Sequence, residues 1–198
     1  MPPTDKSGLE MRQSRTPLER VHTTVFGQSF SRCGNFLAVC DNLGYVTVYR
    51  LSDALSSNSR KTNLHPHYYF KASDYSIYSI ITHDDFLICG GENMISGWLW
   101  SDIISKSAKI SWSLKIPSSG SDLTEANSLE VCKEDDVLYA GCGDGKTYTW
   151  KLDSGVLSGS FCGHTDVIQD IHLTGSHTLL SASEDGTVRI WGMSYTIT

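Results

Sequence analysis

Long apolar runs and concentrated positive charge are both missing from this sequence of 198 residues. The longest uninterrupted apolar runs, such as Phe36 to Cys40, are far shorter than the roughly 20 residues that a membrane-spanning helix needs. Lysine and arginine total 16 against 22 acidic residues, and they form no cluster, so a broad basic face for nucleic acid is not expected. The first twenty residues mix charges of both signs and hold no apolar segment, so we expect no secretory signal and an intracellular chain.

Closely paired metal ligands are also scarce. The six cysteines include no C-x-x-C pair, and the closest pair of histidines is His65 and His67. We therefore expect reduced thiols, no metal and no cofactor. Cys40, Cys89 and Cys142 each end a short apolar run, where a small buried side chain fits.

A repeated hairpin takes the place of these missing features. At the end of the chain, alternating residues from Val167 to Leu173 and an apolar run from Leu179 to Ser183 precede a turn and a third alternating segment. This pattern predicts a three-stranded antiparallel meander. Low charge, 19% of residues, with abundant Ser, Thr, Gly and aromatics also favours β-structure.

The same hairpin occurs three more times upstream, each time with an aromatic residue five positions after the turn residue. We name these aromatic residues the blade anchors, and they are separated by 49, 52 and 41 residues. Such periods are typical of propeller blades, in which about 40 to 45 residues form four strands. The turn residues are Gly44, Asn93, Gly145 and Gly186, and the anchors are Tyr49, Trp98, Trp150 and Trp191.

The last unit carries a family resemblance. GH at 163–164 followed by SEDGTVRIW at 183–191 resembles a WD40 repeat, whereas the other three units lack the GH and are degenerate. The resemblance implies a buried, structural hydrogen-bond network of His164, Ser183, Asp185 and Trp191.

Longer segments, LERVHTTVFGQSFSRCGNFLAVCDNLGYVTVYRLSDALSS at 18–57 and GHTDVIQDIHL at 163–173, are similar to a WD-repeat subunit family of the THO complex. That resemblance implies a non-catalytic nuclear scaffold in mRNA processing and export (the THO/TREX assembly), with other THO subunits as protein partners, RNA contacted indirectly and no membrane. Two alternatives stay open: a propeller that contacts RNA directly, and a WD-repeat adaptor in another complex.

An enzyme is the least favoured class. Gly141 to Gly145 superficially resembles a phosphate loop, but the following residues are β-patterned and provide no helix N-terminus. No histidine lies beside a serine or cysteine in a nucleophile motif. We therefore expect no catalytic residue.

The sequence as a whole predicts an all-β, WD40-type β-propeller with about four blades, an incomplete part of a seven-bladed propeller. We expect blades at about 21–71, 72–115, 123–161 and 162–192, a disordered N-terminus at 1–17 and a short tail at 193–198. A shortened propeller leaves blade faces bare, so we also expect the isolated chain to be poorly soluble or marginally stable.

Overall fold

The computed structural model describes residues 22–55, 65–118, 124–175 and 178–192, and these form four antiparallel sheets that we call blades one to four. The expected disordered segment at 1–17 and the tail at 193–198 lie outside the described residues. Blades one to three have four strands each, and blade four has three strands among the described residues.

Blade one contains β1 (Val25–Phe30), β2 (Phe36–Asp41), β3 (Tyr45–Arg50) and β4 (Tyr68–Lys71), with helix α1 (Leu51–Ala54) after β3. Blade two contains β5 (Ile77–His83), β6 (Phe86–Gly91), β7 (Met94–Leu99) and β8 (Ile110–Lys115), with helix α2 (Trp100–Ile104) after β7. Blade three contains β9 (Ala126–Cys132), β10 (Val137–Cys142), β11 (Lys146–Lys151) and β12 (Leu157–Cys162); blade four contains β13 (Ile168–Thr174), β14 (Thr178–Ser183) and β15 (Val188–Gly192).

Each blade is a meander in which consecutive strands pair. The first strands of successive blades, β1, β5, β9 and β13, lie next to one another. This is the arrangement of a β-propeller, and the predicted fold class is confirmed. No helix among the described residues has the length and apolar character that crossing a membrane requires.

The hydrophobic core is divided into layers between neighbouring blades. One layer joins blades one and two around Ala38, Val48 and Leu87, and the next joins blades two and three around Ile88 and Leu138. A third and smaller layer, which includes Ile171 and Leu179 of blade four, packs against blade three. Each central blade therefore buries both faces, because alternate side chains of its strands point to opposite neighbours.

All four blade anchors occupy one register position, opposite a leucine of the preceding strand. In blades two to four the anchor faces the preceding blade, and Trp98 and Trp150 are each only 2% exposed. Tyr49 is half-buried, since no described blade precedes blade one. The pairs are Leu37 with Tyr49, Leu87 with Trp98, Leu138 with Trp150, and Leu179 with Trp191.

The turns between second and third strands use left-handed backbone at the positions expected from the sequence. Gly44, Gly145 and Gly186 have φ angles of 77°, 76° and 80°, and Asn93 has 61°. Glycine accepts this conformation without a Cβ clash, and asparagine is among the residues that tolerate it best. Directly after β3 the chain forms the short helix α1.

Candidate functional site

A buried chain of hydrogen bonds crosses blade four. His164 lies in the loop before β13, and its side chain is fully buried. Its Nδ1 is 2.8 Å from Asp185 Oδ2, and its Nε2 is 2.7 Å from Ser181 Oγ. The indole Nε1 of Trp191 donates to the same Ser181 oxygen at 2.9 Å.

Two of these bonds have a direction set by chemistry. The Trp191 N–H can only donate, so Ser181 Oγ accepts it, and the Asp185 carboxylate can only accept, so His164 Nδ1–H donates to it. The bond between Ser181 Oγ and His164 Nε2 joins these two into one chain. Because every member satisfies another away from water, the network fixes the loop before β13 against the turn between β14 and β15.

The serine of this network is Ser181 and not Ser183, which corrects the expectation from the sequence. The Ser183 hydroxyl instead donates to the Asp166 carbonyl at 2.9 Å and accepts from the Asp185 N–H at 3.2 Å. Both serines lie on one face of β14, since side chains two residues apart share a face. Cross-strand register separates them: Trp191 pairs with Leu179, and Ser181 is the next residue on that face.

The carboxylate of Asp185 is held in its charged form by several donors. The Thr187 hydroxyl and N–H donate to Oδ1 at 2.6 and 2.9 Å, and the Thr165 N–H donates to Oδ2 at 3.1 Å. These bonds, led by that of the Thr187 hydroxyl and including that of His164, lower the pKa of Asp185 well below its usual value. Only 7% of the Asp185 side-chain surface is exposed, which is consistent with its position among these hydrogen-bond donors.

The turns of blades one and three contain local side-chain hydrogen bonds. In blade one, Asp41 Oδ1 accepts the N–H groups of Leu43 and Tyr45 at 2.9 and 3.0 Å. In blade three, the Tyr148 hydroxyl donates to Asp144 Oδ2 at 2.7 Å. These bonds close each hairpin on itself, as aspartate side chains commonly do in turns.

The buried thiols are poor candidates for nucleophiles. Burial raises the pKa of Cys40 to about 12 and raises the pKa of Cys89 and Cys142 well above its ordinary value. All six cysteines are free, and Cys33 and Cys162 are the exposed ones. Among the described residues, no group of three or more His, Cys, Asp or Glu side chains is arranged to hold a metal ion.

Comparison with known proteins identifies both the repeat and a set of longer relatives. The family model "WD domain, G-beta repeat" matches residues 155–192, which include the whole of blade four. The THO complex subunit 6 homolog of Rattus norvegicus is 38% identical over 89% of this chain and 52% of its own length. THO complex subunit 6 of Homo sapiens is 37% identical over the same shares, and the homolog of Danio rerio is 34% identical over 88% of this chain and 55% of its own.

Among solved structures, the computationally designed Ika4 protein superimposes with a TM-score of 0.66 at 16% identity, covering 87% of this chain and 93% of that one. This likeness supports the fold alone. The resemblance to WD40 repeats and to THO complex subunit 6 proteins is confirmed. The chain spans about half the length of the curated relatives it matches.

Proposed function

We propose that this chain acts as a non-catalytic scaffold subunit of a THO-type complex, in the nucleus, in mRNA processing and export. The observation that carries the proposal is the similarity to THO complex subunit 6 proteins over 89% of the chain. That similarity extends well beyond the 155–192 segment that a WD-repeat match alone would explain. Its partners are then other subunits of that complex, bound through loops and edges carried on a rigid β-frame.

Two features of the described residues favour a scaffold over an enzyme. The most prominent polar cluster, around His164, is fully committed to internal hydrogen bonds and has no exposed reactive atom. Burial raises the pKa of the Cys40, Cys89 and Cys142 thiols, which disfavours their nucleophilic thiolate form. Contact with RNA is indirect in this proposal, because the net charge of -6 disfavours phosphate binding.

The test is affinity capture of the tagged chain from nuclear extract, with quantitative mass spectrometry and a parallel arm treated with RNase. Recovery of THO subunits in both arms is the expected result. Loss of those subunits after RNase would favour the RNA-bridged alternative, and capture of a different complex without THO subunits would favour the general adaptor. Either outcome overturns the proposal. The Ser181→Ala variant, which lacks one hydroxyl of the blade-four network, is captured in parallel as a control for the fold of blade four.

A further inference from the structure

Blade two contains a cavity at the place where blade four contains its network. The two blades can be compared position by position. Ser73 and His164 each lie four residues before the first residue of their blade's first strand. Cys89 and Ser181 each lie two residues after the leucine that pairs with the anchor. Glu92 and Asp185 each precede the turn residue with positive φ, and Trp98 and Trp191 are the anchors.

The substitutions at these positions leave space. Ser73 is much smaller than the imidazole that fills the corresponding position in blade four, and a cavity of about 370 Å³ lies there. Ser73, Cys89, Glu92 and Trp98 all line it. The same space in blade four holds the ring of His164, whose centroid is 6.3 Å from that of Trp191.

The anchor of blade two forms one wall of the cavity. Trp98 is 2% exposed as a whole residue and lines the cavity. At the position of Ser181, blade two has Cys89, whose thiol is a weaker hydrogen-bond acceptor than a hydroxyl. The corresponding N–H of Trp191 donates to Ser181 at 2.9 Å. An occupant that offers an acceptor to the Trp98 N–H would take the place that Ser181 has in blade four.

The mouth of the cavity is both apolar and acidic. Tyr75, Met94 and Ile110 line it with 51%, 40% and 58% of their surface exposed, which is unusual for large apolar side chains that converge on one site. Asp74 and Glu92 supply two carboxylates, and neither forms an ion pair with any described residue. Glu92 Oε1 accepts a long hydrogen bond of 3.5 Å from the Tyr78 hydroxyl. No basic side chain is among the described residues that line the cavity.

We propose that this cavity binds an arginine side chain presented by an extended segment of a partner protein. The guanidinium pairs with the carboxylates of Asp74 and Glu92, and its planar shape suits the aromatic walls of Tyr75 and Trp98. A main-chain carbonyl of the same segment accepts from the Trp98 N–H. Arginine is preferred over lysine because its flat fork of donors matches carboxylates and stacks on aromatic rings. The site goes beyond the scaffold role proposed above and does not depend on which complex the chain joins.

The test uses the purified chain labelled with ¹⁵N at its tryptophan indoles. The sequence has five tryptophans, so five indole N–H signals are expected, and Trp98→Phe identifies the one of interest. The probe is the peptide acetyl-Gly-Arg-Gly-amide, titrated to about 10 mM, a range that detects millimolar dissociation constants. The expected result is a saturable shift of the Trp98 signal, with the Trp191 signal unchanged as an internal control.

Three comparisons make the result specific. The same peptide with citrulline, which has the shape of arginine without its charge, should give little shift. The pair Asp74→Asn and Glu92→Gln should weaken the arginine peptide at least about tenfold, as expected for loss of two charged partners. The matched control Glu184→Gln, an exposed acid in the turn of blade four, should leave the affinity unchanged.

A plug variant tests the cavity without removing charge. Ser73→His places an imidazole where blade four has one, and it should reduce peptide binding while leaving the blade folded. The proposal is overturned if the arginine peptide produces no saturable shift of Trp98, if citrulline produces an equal shift, or if the double acid variant binds as tightly as the parent. Because the assay uses only the purified chain and a defined peptide, its failure leaves the THO proposal untouched, and the reverse also holds.

Discussion

Substitution of Ser181 by alanine should destabilise the chain more than the same substitution at Ser183. Ser181 is 1% exposed, and its hydroxyl bonds to both His164 and Trp191, at 2.7 and 2.9 Å. Loss of this hydroxyl leaves the Trp191 indole N–H and the buried His164 Nε2 without their partner. Unsatisfied buried groups cost about 1 to 3 kcal/mol, so we expect a loss near about 2 kcal/mol.

That free energy corresponds to a measurable change in melting temperature. For a chain of this size, 1 kcal/mol shifts the midpoint by about 2 to 4 °C, so Ser181→Ala should melt about 4 to 8 °C lower than the parent. Ser183→Ala is the matched control. Its hydroxyl is partly exposed, so its partners can bond to water, and its cost should stay near about 0.5 to 1 kcal/mol.

The assay is urea unfolding followed by circular dichroism, with equal m-values required before the midpoints are compared. A Trp191 indole N–H signal that moves in Ser181→Ala but not in Ser183→Ala would locate the effect in the network. Equal stability losses for the two variants, or no loss for Ser181→Ala, would refute the assignment of Ser181 as the buried partner.

Three further predictions concern charge, thiols and backbone. The folded-state pKa of Asp185 is lowered, chiefly by the Thr187 hydroxyl, so its contribution to stability is complete above the unfolded pKa near 3.8 and is lost as the pH falls through the folded value. The stability gap between the parent and Asp185→Asn should therefore narrow in denaturation series run from about pH 6 down to about pH 3, and a constant gap would contradict this. The thiol of Cys33 is exposed, and its hydrogen bond with the Ser31 side chain lowers its pKa. It should react with a disulfide reagent at pH 8 in the fast phase, while the four buried cysteines should react only after denaturant is added. Equal reaction rates for all six cysteines would contradict this prediction. In Gly186→Ala the new methyl group meets nothing within 4 Å, so only the positive φ should reduce the free energy of unfolding, by about 1 to 2 kcal/mol. In Gly44→Ala the methyl group also collides with two backbone carbonyls, so the loss of stability should be clearly larger. Equal thermal midpoints for the two variants would contradict this.

Features that depend on local chemistry could be predicted from the sequence. The turn residues need positive φ, so glycine or asparagine marks them, and the anchors follow at a fixed distance because each hairpin has nearly the same length. The position of Tyr49 and Trp191 opposite equivalent leucines follows from that constancy. The position of Cys40 at the end of a short apolar run also predicted its burial in the core.

Features that depend on pairing between strands could not be predicted in the same way. Ser181 and Ser183 share a face of β14, and only the register with β15 brings one of them to His164. The cavity of blade two was also missed, although a signal for it exists. Aligning the second repeat on the fourth places Ser73 at the histidine position, and a serine there cannot fill the space of an imidazole.

The burial of the blade anchors by neighbouring blades explains why blades two and three fold without the histidine network. Their anchors, Trp98 and Trp150, are each 2% exposed because a blade packs against both faces. In blade four the anchor is only partly buried, and Val188 and Ile190 on the opposite face are 68% and 72% exposed. Blade four is also the one in which the hydrogen bonds of His164 fix the loop before β13 against the turn between β14 and β15. Among the described blades, the repeat that is easiest to recognise is thus the one that carries this polar network.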